Sequence, residues 1–157
     1  MDDAAIARAV HVLAVVLWIG GVSFVTTVLL SAIRHLTAPE ERLTYFDRFE
    51  RRFSWQARIT TGLTGLSGLY VLVRFDPWGR FRFASFGWMH SMVLVWLLFT
   101  AVLFAAEPLI LYRWLDTHAR EKPEATFRLV EWLHWALLLL SAITIVGAVA
   151  GTHGLIL

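Results

Sequence analysis

Six histidines and no cysteine are spread over the 157 residues. Two of the histidines sit where an imidazole is expensive. His11 opens the apolar run His11-Val-Leu-Ala-Val-Val-Leu-Trp18-Ile-Gly20-Gly21, and His90 lies in Gly87-Trp88-Met89-His90-Ser91-Met92 at the head of another. An ionisable ring inside hydrocarbon is costly unless something binds it, so each is a functional-site candidate with a partner to be found. If successive helices alternate in direction, the first and third enter from the same face. Two imidazoles at one depth on two such helices are what a bis-histidine haem requires. With no cysteine there is no thioether attachment, iron–sulfur cluster or disulfide, so the haem would be non-covalent haem b.

The elements that must carry these residues follow from composition. At 58% hydrophobic, 17% charged and a mean hydropathy of +0.64, the chain has more apolar surface than one soluble core of this length can bury. A membrane span needs about 20 predominantly apolar residues. The sequence predicts an all-α integral membrane four-helix bundle in a single domain, with helices over about 4–33, 55–74, 86–113 and 127–150. The second apolar run is short, and Arg58 and Arg74 have stems that can snorkel to opposite interfaces. Ahead of it, Thr37-Ala-Pro39-Glu40 is a helix-start signature, and Leu43, Phe46, Phe49 and Phe53 recur at helical spacing among charges. This predicts an amphipathic interfacial helix in the first cytoplasmic loop, running on into helix two. The leader carries Asp2 and Asp3 against Arg8 and has no small-x-small exit, so no cleaved signal peptide is expected.

Ten of the 14 basic residues fall between helices one and two, between three and four, or on the flanks of those loops; only Arg8, Arg74, Arg80 and Arg82 fall on the other side. The positive-inside rule then puts both termini in the periplasm of a bacterial inner membrane and the basic loops in the cytoplasm. The pI near 9.5 is thereby a topology signal, and no nucleic-acid partner is read from it.

Other polar residues qualify this picture. Trp18 is seven residues from His11 and shares its face, and Gly20 and Gly21 permit either a close neighbour or clearance for a flat macrocycle. Arg74, Arg80 and Arg82 run against the charge bias, and haem propionates are an anion that would retain them near His11 and His90. Glu107 matches the depth of Arg58, which predicts an ion pair bracing the other end, with His134 nearby as an inner ligand, proton relay or quinone-site residue. His153 is a spare ligand candidate at the outer boundary. His35 and His118 fall in loops and receive no role.

His11-x6-Trp18-x-Gly20-Gly21, the basic stretch Phe49-Glu50-Arg51-Arg52-Phe53 before a glycine-rich second helix, and Trp88-Met89-His90 together resemble the copper-resistance D-type membrane proteins and the related J-type bacterial protoporphyrinogen oxidase. The resemblance covers most of the chain in outline. From the J-type side it implies haem b binding at His11. Met92 stands where that family has an essential lysine two residues after its helix-three histidine, so the oxidase activity does not carry over with it. From the D-type side it implies copper handling, for which Met89, His90, Met92 and His11 are the soft and imidazole donors.

The expected function is therefore membrane electron transfer through haem b, with quinone or a periplasmic redox protein as exchange partner. Copper handling or transport is the alternative, and a cofactor-free structural subunit, whose histidines bond to carbonyls or hydroxyls of neighbouring helices, is a third. The sequence has no nucleophile–base constellation, P-loop or dinucleotide fingerprint.

Overall fold

The computed structural model describes residues 3–111, 117–118 and 121–153. They form four long helices and no strand. Helix α1 spans Asp3–Leu36, α2 Arg42–Phe75, and α4 Pro123–Thr152. Helix α3 runs over Gly87–Ala101 and continues with the wider π-type winding through Val102–Leu111. Three helices, α1, α3 up to Glu107 and α4, are long and apolar enough to cross a membrane. The expected end of helix three at residue 113 lies outside the described residues.

The breaks are local chemistry. Thr37 leaves α1 in extended conformation, its hydroxyl donating 2.7 Å to the Ile33 carbonyl, and Pro39 follows. His35 therefore belongs to the last turn of α1 and not to a loop, because α1 runs three residues past its expected end. The amphipathic segment and the second apolar run are one continuous 34-residue helix, as nothing between Arg42 and Phe75 removes a backbone donor. It stops at Asp76, left-handed at φ 47°, a conformation a short polar side chain tolerates better than most, with Pro77 barring further helix. Two short 3₁₀ turns, Pro77–Arg82 and Ala84–Phe86, lead into α3.

The packing is inside-out by the standards of a water-soluble protein. Along α2 the buried face is Ser54, Ala57, Thr60, Thr61, Thr64 and Ser67, while Leu63, Leu66, Leu69 and Val73 are exposed. Small residues at a helix contact let backbones approach, and the leucines turned outward form an exposed apolar stripe. Helix α2 lies antiparallel along α1, with Gly68 against His11 at one end and Gly21 under the Phe53 ring toward the other. Trp18 of α1 meets Phe99 of α3 edge-on at 4.8 Å, inside a cluster with Val22 and Val95. A second cluster, Leu30, Ile33, Phe46, Phe127 and Val130, closes the opposite, arginine-rich end.

Candidate cofactor and polar sites

At the histidine end, α1 presents the half-buried His11 to the small-residue face of α2. Its Nδ1 lies 3.0 Å from the Thr64 carbonyl oxygen and 3.2 Å from the Ser67 hydroxyl. A carbonyl only accepts, so Nδ1 carries the proton and donates, which leaves Nε2 with its lone pair. That is the tautomer of a metal-ligating histidine, whose second nitrogen is ordinarily tied to a carbonyl or carboxylate. Gly68 gives the ring room: a Cβ there would stand 3.1 Å from His11 Cε1, a tight contact that the ring would have to shift to relieve.

His90 is held differently. It is exposed at the start of α3, its Nε2 donating 3.1 Å to the Phe81 carbonyl and its Nδ1 3.4 Å from that of Phe86, with the Phe81 ring edge-on to it at 5.1 Å. The ring leans on the connection between α2 and α3, so His11 and His90 address different neighbours. The Trp18–Phe99 contact sets α1 and α3 at one level. His11 and His90, seven and nine residues before those aromatics, then stand roughly 10 and 13 Å toward the same end at about 1.5 Å per residue. Trp18 is 3% exposed, and its indole Nε1, like that of Trp88, is buried with no hydrogen-bond partner. Such an orphan costs about 1–3 kcal/mol.

Arg74, Arg80 and Arg82 are exposed around this end without an acidic partner among the described residues; Arg80 lies over the Phe86 ring at 5.4 Å. Met89 is buried and its neighbour His90 exposed, so the two side chains diverge, and Met92 is half-buried. His153 donates 2.8 Å to the Val149 carbonyl at the end of α4. Among the described residues no three histidine or acidic side chains converge as a metal site.

The arginine-rich end is braced by ion pairs between helices. Arg34 of α1 reaches Glu131 of α4 at 3.2 Å, and Arg42 of α2 pairs with Glu124 of α4. The expected Arg58–Glu107 pair is present at 3.3 Å between α2 and α3. Arg58 Nε also donates 3.0 Å to the Leu103 carbonyl, in the π-wound segment where the wider helix frees acceptors. His134 does not join this group. Its Nδ1 donates 2.9 Å to its own helix at Val130, and its ring packs edge-on to Phe46 at 5.5 Å.

Two members of the group were not singled out from the sequence. The Ser54 hydroxyl lies 2.6 and 2.8 Å from the two Glu107 oxygens and donates to one of them. Glu50, in the interfacial turns before the apolar part of α2, is pushed up to about 8 by burial first, then by the Glu107 and Asp47 carboxylates. The signal was available: Glu50, Ser54 and Arg58 are spaced by four and share one helical face.

A pH effect follows. Between the ordinary 4.5 and about 8 the folded state holds a proton on Glu50 that the unfolded chain has lost, so stability falls as pH rises through that window and levels off above it. Unfolding in detergent at pH 5 and pH 8 measures the slope. Glu50→Gln is expected to flatten it, and an unchanged slope in that variant would remove Glu50 as its source.

Comparison of the chain with protein-family models, curated proteins and solved structures found no match.

Proposed function

We propose that this chain is an integral membrane four-helix bundle that holds haem b near one membrane face and serves electron transfer, with His11 and His90 as the residues that would hold the iron. The observation that carries the reading is the seat of His11: an imidazole at membrane depth with Nδ1 fixed by the Thr64 carbonyl and Nε2 left as a donor. The common level of the two histidines supports it, as do the orphan indoles of Trp18 and Trp88 on the same two helices. Haem so held would supply one-electron redox chemistry. This chain's part is to orient His11, to release His90 Nε2 from the Phe81 carbonyl so that it can ligate, and to offer Arg74, Arg80 and Arg82 to the propionates. Quinone or a periplasmic redox protein is the exchange partner in this reading.

The four-span part rests on α2. Its buried face of small hydroxyl residues and outward leucines suits hydrocarbon surroundings, although its first turns are too charged to enter them. The basic asymmetry orients the bundle with both termini in the periplasm of a bacterial inner membrane. A reporter active only in the cytoplasm, fused after Leu157, should stay silent, and a strong signal would invert the topology.

A cofactor-free structural subunit is the second reading, favoured by the backbone carbonyls that already accept from His90, His134 and His153. Copper handling has less support, since Met89 and His90 diverge. A dithionite-reduced minus oxidised spectrum of the protein purified in detergent separates them. Sharp bands of a low-spin b haem are expected, whereas a featureless spectrum from protein purified out of haem-replete cells would favour the structural subunit.

A further inference from the structure

Between α1 and the interfacial turns of α2 runs a groove of about 590 Å³. Its α1 wall is Phe24, Val25 and Leu29, at the widened winding of that helix, and Phe53, laid over Gly21, forms its deep end. The α2 wall is different in kind. Arg48 and Arg52, one helical turn apart and both exposed, line it together with Gln56 and Tyr45. Every other arginine in this part of α2 with an acid in reach is neutralised by it: Arg42 by Glu124, Arg51 by Asp47 and Arg58 by Glu107. Arg48 and Arg52 have no acidic partner among the described residues.

Antiparallel packing fixes the order along the slot. Leu29 and Tyr45 lie toward the helix ends, and Gly21, Phe53 and Gln56 toward the middle, with the apolar residues of α1 facing Arg48 and Arg52 along the length between. Trp55, 66% exposed, marks the level at which an amphipathic ring prefers the interface. A slot that is apolar along its α1 wall and carries two exposed, uncompensated guanidinium groups along its α2 wall matches one ligand class. We propose that this groove binds an acidic glycerophospholipid of the adjacent leaflet, its phosphate between Arg48 and Arg52 and an acyl chain along Phe24 and Phe53. Guanidinium forks suit phosphate oxygens, and a zwitterionic lipid, whose own cation offsets its phosphate, gains less from them. The inference rests on membrane insertion and not on haem.

The test is native mass spectrometry of the full chain released from mixed micelles holding equal amounts of phosphatidylglycerol and phosphatidylcholine. Wild type should retain phosphatidylglycerol preferentially. Arg48→Gln,Arg52→Gln should lose roughly fivefold for each arginine removed and approach parity. Arg51→Gln, already paired with Asp47, should behave as wild type, and the charge-keeping Arg48→Lys,Arg52→Lys should keep most of the preference. Equal retention of both lipids by wild type, or an equal loss in Arg51→Gln, would overturn the site in favour of diffuse surface charge. Displacement of the lipid by inorganic phosphate at comparable concentration would overturn it in favour of a free-anion site. A chain that stays in solution without detergent and retains neither lipid would instead refute membrane insertion itself.

Discussion

Arg58→Gln is expected to destabilise the protein by about 3 kcal/mol, the low end of the roughly 3–5 kcal/mol range for breaking a buried ion pair, because Arg58 itself is partly exposed. The Glu107 side chain is only 7% exposed against 29% for Arg58, so losing the arginine strands the more deeply buried charge. The stranded carboxylate keeps its Ser54 bond, but it loses its Arg58 partner while still feeling the Glu50 carboxylate. Glu107→Gln is expected to cost less, about 1–2 kcal/mol, since the amide can still accept from Ser54 while Arg58 holds the Leu103 carbonyl and reaches toward water. The double change should cost less than the two singles summed, the coupling expected of contacting residues. Thermal or denaturant unfolding in detergent measures all three, and three variants as stable as wild type would mean that the pair contributes nothing.

The existence of the four helices was legible because apolar runs and basic loops are properties of sequence alone. So was the Arg58–Glu107 pair, since two opposite charges at one depth in an apolar setting have few other partners. The continuity of the interfacial segment with the second apolar run was legible too, though the helix starts at Arg42, past the Thr37-Ala-Pro39-Glu40 start signature, which forms a turn. The histidine contacts were not. Whether His90 faces a helix or the connection before it depends on the path of Pro77–Phe86, where 3₁₀ turns bring the Phe81 carbonyl under the ring, and backbone carbonyls leave no trace in side-chain patterns. His11 is the contrasting case. Its partners, Thr64 and Ser67, belong to the small-residue stripe that the sequence marks on α2, but pairing them requires the register of α1 on α2, which single-helix periodicity does not contain. The glycines divided the same way: Gly21 and Gly68 receive neighbouring rings, while Gly20 and Gly62 face open space.

His11→Ala is expected to remove the low-spin haem spectrum or convert it to high spin. Alanine offers no iron ligand, and no other side chain can supply an imidazole from the Thr64–Ser67 seat. Ser67→Ala should have a much smaller effect, because the Thr64 carbonyl still fixes the Nδ1 proton. His35→Ala and His118→Ala should leave the bands as they are. Loss of haem in His11→Ala with helicity and thermal stability retained would identify a ligand, whereas the same loss with collapse of the fold would identify only a packing residue.

The most direct measurement is the haem content and reduced spectrum of the His11→Ala,His90→Ala double variant, purified in detergent beside wild type and quantified per chain. The proposed ligation predicts haem with low-spin bands in wild type and none in the double variant at equal protein recovery. Full haem content with unaltered low-spin bands in the double variant would contradict it and move attention to His134 and His153 as separate candidates, since the Nδ1 of each also donates to a backbone carbonyl and leaves Nε2 available.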